Sequence, residues 1–316
     1  MHDRRFLKGI EIGPTADVAA IDLAADAGLD ALLTGRDRLG AEERARAADR
    51  GLLVLESPPV REPRRGPMRL GWATGDERDL PTVLRRHPRR ARFPTGFGAP
   101  SVDHGGIDEL LAAGWPRLDG ITDDDRRCFA RHTPPEGFDD PAVWAEATRN
   151  YQAMVVRFHV ETLRRLTNRP ATGFAVARLS SGPGPVDASV LHRDGRPKEA
   201  YEALRAACRP TLAVGDRLPP HLHGDERLGI ARSVINDLAA PVRARLTTTL
   251  IWADDHHSSS ASVTVGAGDV VDIEPFEFVV PAVSGPLTME LSLEADGEAP
   301  IVSRYRSDIY ADPHDH

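Results

Sequence analysis

Three carboxylates stand where strand-like runs end. Glu56 lies in the run LLVLESPP (52–59), and Asp76 and Glu77 follow MRLGWAT (68–74) in the stretch GWATGDERD. Carboxylates at strand ends of βα proteins often line a site, and a pair of them can divide the work of a general acid and a base or nucleophile. Trp72 and Trp115 offer flat faces on which a ring can stack, and His104, beside Gly105 and Gly106, offers a polar contact. Each has an ordinary role set against it. Acidic side chains are mostly solvated, and a tryptophan on a strand usually packs in a core.

Other chemistries find less support. No G-x-S-x-G, phosphate-loop or dinucleotide glycine pattern occurs, so no cofactor is expected. His221 with His223, and His256 with His257, lack a third ligand at a recognised metal spacing; the acidic run Asp123, Asp124, Asp125 lacks calcium-loop spacing. No metal is expected. The 316 residues hold 40 basic and 48 acidic side chains, a net charge of −8, which repels phosphate backbones. The basic run Arg85-Arg86-His87-Pro88-Arg89-Arg90 has no interleaved aromatics, so nucleic acid is not an expected partner. No apolar run is long enough to span a membrane. The sequence as written opens without a secretory signal, and Cys128 and Cys208 match no C-x-x-C spacing. Both point to a reducing compartment, the cytoplasm. The oligomeric state is left open.

The elements that must position these residues come in two styles. Over the first 210 residues or so, strands alternate with helices. A strand at 6–12 leads into a helix at 16–27, closed by Gly28. A strand at 30–35, a helix at 41–51 and a strand at 52–59 repeat the motif. Further strands are expected at 68–74, 90–101 and 171–179, with helices at 80–86, 141–166 and 197–208; the stretch between 101 and 141 reads as a polar loop. This repeat predicts a parallel sheet or barrel. After Val214 the apolar period changes from 3.6 to 2. Six strand-like runs separated by turn residues then predict an antiparallel sandwich. The expected fold is α/β plus all-β: a (β/α) domain at 1–214, a linker at 215–226 and an immunoglobulin-like β-sandwich at 227–316.

In this order the pieces resemble the barrel and C-terminal sandwich of glycoside hydrolase family 2, the β-mannosidase, β-galactosidase and β-glucuronidase group. RRFLKGIEIG is similar to the segment opening that family's barrel, DAGLDALLTG to the run that follows it, and ADRGLLVLESPP to its third strand. GWATGDERD resembles the W-x-x-G-N-E motif, which implies an acid/base role for Glu77 and sets Asp76 at the motif's Asn. PTGFGAPS resembles the S-E-F-G-x-x-S strand end, with Gly96 in the place of the nucleophilic Glu. GFAVARLSSGPGPVDASVLHRDGRPKEAYEALRAACRP resembles the last strand and helix, most specifically from Gly195 to Tyr201. There Ala177, Arg178, Ser180 and Ser181 replace the Trp, Gln, Asn and Asp that line the family's sugar site.

The resemblance therefore implies a carbohydrate-related protein with impaired catalysis. Retaining hydrolysis needs two carboxyl groups about 5–5.5 Å apart, and glycine cannot form the covalent intermediate. Length argues the same way. A complete (β/α)8 TIM-type barrel usually takes about 250 residues, so the first domain is expected to be a shortened or incomplete one. Three readings stay open. The chain is a non-catalytic homologue that binds carbohydrate or a protein partner, with Trp72, Trp115, His104 and Arg178 as contacts. Alternatively, it is an altered β-glycosidase using Glu77 with Asp76 or Glu56, or a structural remnant that does neither.

Overall fold

A computed structural model describes residues 6–35, 39–56, 80, 92–167, 171–295 and 297–310. The chain divides into two compact units, Met1–Arg209 and Pro210–His316. Asp76, Glu77, Trp72, the strand expected at 68–74 and the basic run 85–90 lie outside the described residues.

The first unit is an α/β structure. Its strands are β1 (Leu7–Glu11), β2 (Ala31–Thr34), β3 (Leu53–Glu56), β4 (Thr95–Phe97), β5 (Ser101–Val102), β6 (Gly173–Val176) and β7 (Val186–Asp187). Five run parallel in the order β3-β2-β1-β6-β4, while β5 and β7 form a small antiparallel pair. The first strand thus lies between the second and the last of the parallel set. Helices cover one face of the sheet. Ile10, Leu32, Phe174 and Val176 pack with helical Ile21, Ala24, Val156, Val160 and Leu204. Ala31, Leu33 and Ala175 form a smaller cluster with Leu7, Leu55 and Phe93.

The helices begin and end where local chemistry demands. Helix α1 (Val18–Asp26) starts at Asp17, whose carboxylate accepts the Ala20 N–H at 2.8 Å. It stops at Gly28, whose φ of +75° turns the chain into β2. Helix α2 is Ala41–Asp49. The polar stretch expected as a loop instead forms α3 (Gly106–Ala112) and α4 (Asp123–His132). The acidic run is the first turn of α4, where carboxylates favour the positive helix end, and Thr122 caps it by accepting the Asp125 N–H at 3.1 Å. Charge density hid this helix, because only Cys128 and Phe129 supply its apolar face. Helix α5 (Pro141–Arg165) opens with an Asp140 cap and a proline at its first position; α6 is Glu199–Ala207. Among the described residues no helix is long and apolar enough to cross a membrane.

The second unit is a β-sandwich. It comprises β8 (Thr211–Gly215), β9 (His221–His223), β10 (Arg227–Asn236), β11 (Val242–Trp252), β12 (Asp255–Val265), β13 (Asp269–Val279), β14 (Gly285–Ala295) and β15 (Ile301–Tyr310). One sheet has the order β13-β10-β8 and the other β12-β11-β14-β15-β9. Alternation sets the core: Ile230, Val234, Leu246, Leu250, Met289 and Leu291 point inward. The stretch 215–226 is more structured than a linker, since β9 pairs there with β15 through Leu222 and Ile309. That short register has no periodic signal to reveal it.

Candidate functional site

Parallel strands bring their C-terminal ends to one edge, so Glu11, Thr34, Glu56, Phe97 and Val176 end together. The β1 and β6 loops close on each other above it. Thr15 Oγ1 donates to the Ser181 carbonyl at 2.8 Å, and a Cβ on Gly13 would lie only 1.9 Å from the Ser180 carbonyl oxygen.

Glu56 is exposed at the end of β3, opposite Thr34. Strand order separates it from β6 by three steps and from β4 by four.

Gly96 is buried in β4 with φ +66°. The β4–β6 register jumps there, with Thr95 opposite Ala175 and Phe97 opposite Val176, so Gly96 is the extra residue of a bulge. A side chain at this backbone conformation costs about 1–2 kcal/mol. Glycine here is therefore part of how the strand is built.

The richest polar constellation lies beside this edge and is nearly all buried. Asp103, just after β5, accepts the Arg193 N–H at 2.9 Å and the Gly105 N–H at 3.2 Å. Ser181 Oγ lies 3.4 Å from the same carboxylate. His192 Nδ1 stands 3.4 Å from Asp103 Oδ2 and 3.2 Å from the His104 backbone nitrogen. A neutral ring can accept from His104; a protonated ring instead donates to Asp103. Burial alone would push the Asp103 carboxyl up. The contact with His192, the two backbone donors and the Lys198 charge outweigh it and hold that carboxyl far below the usual range.

A second carboxylate anchors the other half. Asp187 accepts from Ser189 Oγ at 2.6 Å, Ser189 N at 3.0 Å, Gly182 N at 3.0 Å and Lys198 Nζ at 3.2 Å. Lys198 also reaches Ser101 Oγ at 3.3 Å, and Ser101 donates to Gln152 Oε1 at 2.8 Å. Gln152 in turn donates to the Ser189 carbonyl at 3.0 Å. Burial pushes the Lys198 ammonium down against the pull of Asp187, while the Asp187 carboxyl is lowered because Lys198 and its other donors overcome its own burial. A serine beside a lysine has the makings of a nucleophile and base. Here Ser101 is wholly buried and Lys198 only 1% exposed. The network ties β5, the β6 loop and helices α5 and α6 together and positions the loop that carries Arg178.

The predicted ligand contacts fall in different places. Arg178 is half-buried and bridges to Ser189 through its backbone, at the border of this network. His104 is exposed and stacks on His192, with ring centroids 5.0 Å apart. Trp115 is half-buried against Trp144, centroids 5.0 Å apart, in a cluster with Val102, Leu110, Leu118 and Phe129. Among the described residues no group of three or more His, Cys, Asp or Glu is arranged to hold a metal ion. Cys128 and Cys208 are buried and form no disulfide. Asp103, Asp187, Ser101 and Gln152 escaped sequence reasoning. Lys198 had one signal: besides Lys8 it is the sole lysine of an arginine-rich chain.

An α/β unit followed by a β-sandwich is the architecture of family 2-type glycoside hydrolases, and solved structures of that type share this fold. A β-D-mannosidase from Dictyoglomus thermophilum superposes with a TM-score of 0.68 at 11% identity, over 95% of this chain and 50% of its own. An exo-chitosanase from Amycolatopsis orientalis gives 0.58 at 13% identity, over 96% of this chain and 48% of its own. The chain spans about half the length of either enzyme. Neither a protein-family model nor a curated protein sequence matches it.

Proposed function

We propose that this chain is a glycosidase-like protein that has lost the hydrolytic chemistry of family 2 and binds carbohydrate at the strand-end edge of its first unit. One observation carries the reading. Where the resemblance places the nucleophilic Glu, the backbone of Gly96 is a left-handed bulge, a conformation that disfavours any side chain. The shared fold supports the carbohydrate class, and His104 and Arg178 are the candidate polar contacts on this reading. On this reading the first unit is a shortened (β/α) barrel, the second an immunoglobulin-like sandwich, and the protein works in the cytoplasm.

The test pairs turnover with binding. Aryl β-mannoside and β-glucuronide should show no hydrolysis above background, while calorimetry with the corresponding free sugars should show saturable binding. Hydrolysis abolished by Glu77→Gln would overturn the reading in favour of an altered glycosidase, with Asp76 or Glu56 as second carboxylate. Absence of both turnover and binding would leave a structural remnant.

A further inference from the structure

The sandwich breaks its own pattern at one inward position. β10 turns Ile230, Arg232 and Val234 toward the core, and β11 turns Leu246, Thr248 and Leu250 the same way; all six are buried. An arginine in such a row is costly unless something neutralises it. The Arg232 guanidinium makes two hydrogen bonds, both to uncharged oxygens. Nη1 donates to Thr248 Oγ1 at 2.8 Å and Nη2 to the Glu274 carbonyl at 2.5 Å. The group also lies over the Phe276 ring, 5.4 Å from its centroid. Among the described residues its Nε–H, itself shielded from solvent, has no acceptor, and no carboxylate forms an ion pair with the group. Local rules broken at one place in an otherwise consistent element are typical of functional sites.

The backbone around Arg232 is shaped to match. Ile230 pairs with Phe276 and Arg232 with Ile273, so β13 has two residues, Glu274 and Pro275, where β10 has one. Pro275 has no N–H to give the ladder, and the bulge frees the Glu274 carbonyl to meet the guanidinium. Beside it a groove of about 660 Å³ opens between the edge strands β12 and β13, with Arg232 in its lining. Ala261, Val263, Ile273 and Phe276 supply apolar wall, and the His257 ring lies 5.5 Å from that of Phe276. That size is within the usual range for a small-molecule site, about 300–1,000 Å³.

We propose that this groove binds a small monocarboxylate with a flat apolar body, its carboxylate accepting from Arg232 and its body resting against Phe276 and Val263. A planar two-oxygen anion fits the guanidinium fork. Phosphate dianions do not suit the place, because Asp272, Glu274 and Glu277 also border the groove. These carboxylates repel every negative charge, Arg232 offsets one, and no second Arg or Lys lines the groove to offset another. The site lies wholly in the second unit and does not rest on the carbohydrate reading.

Benzoate, benzyl alcohol and inorganic phosphate are the probes, titrated into the full chain by calorimetry and followed by thermal shift. Benzoate should bind saturably, at least about tenfold tighter than the other two. Arg232→Met should remove benzoate binding, and Arg232→Lys, which keeps charge but loses the fork, should weaken it about fivefold or more. Ala261→Trp fills the groove without touching the guanidinium and should also remove binding. No saturable benzoate binding up to about 10 mM overturns the proposal, as does binding that survives both Arg232→Met and Ala261→Trp. Phosphate binding tighter than benzoate overturns the assignment of a carboxylate.

Discussion

The Lys198 ammonium lies 3.2 Å from the Asp187 carboxylate, and the two come from opposite ends of a turn that links β7 to helix α6. The lysine side chain has no exposed surface and the aspartate 14%. Removing one member strands the other in a poorly hydrated place. Lys198→Met should therefore lower stability by about 3–5 kcal/mol. Lys198→Met combined with Asp187→Asn should recover part of that loss. Denaturant unfolding of the single and double variants checks it; a single variant within about 0.5 kcal/mol of the parent would mean the pair is not structural.

Acid should unfold the first unit through Asp103 and Asp187. Both carboxyls are held below their ordinary value, so between the folded and unfolded pKa the unfolded chain binds more protons. Stability is then fully present above about pH 4 and falls as pH drops below it. Asp103→Asn should flatten that acid slope while costing stability at neutral pH. The readout is the unfolding midpoint at a series of pH values. A slope unchanged in the variant would show that other groups set the acid limit.

How far the sequence foretold this arrangement depends on the range of the interactions. Helix α5 was legible from its apolar spacing, and β10 to β15 from their alternation, because periodicity is local. The buried network was not. Lys198 meets Ser101, 97 residues away, and Gln152 meets Ser101, 51 residues away, so no window along the chain contains the partners together. Helix α4 was hidden for a different reason, since its charged residues outnumber Cys128 and Phe129, the two apolar ones that pack. Arg232 was visible as a charge within an alternating run, but only the opposing Thr248 and the bulge at Pro275 show that it faces inward.

Gly96 should resist replacement. Its φ of +66° makes Gly96→Ala cost about 1–2 kcal/mol, and Gly96→Asn should cost less, since Asn tolerates that region better. Gly96→Glu, which restores a carboxylate at the position the resemblance gives to the nucleophile, should not create glycosidase activity. Unfolding measurements check the first part and aryl-glycoside turnover the second. Hydrolysis by Gly96→Glu would show that the rest of the catalytic edge is intact.

Trp115 separates packing from ligand binding most cleanly. Its ring lies 5.0 Å from Trp144, which is 1% exposed and donates from Nε1 to the Thr133 carbonyl at 2.8 Å. Most of the Trp115 side chain is thus committed to the cluster that joins α3, α4 and the start of α5, and the rest faces solvent. Full burial of a tryptophan makes truncation to alanine worth about 3–5 kcal/mol, so partial burial should give about 2 kcal/mol for Trp115→Ala. If packing is its whole role, sugar affinity measured by calorimetry should change less than about twofold, well under 1.4 kcal/mol. A variant that keeps full stability but loses sugar binding would instead make the solvent-facing part of this ring a stacking platform.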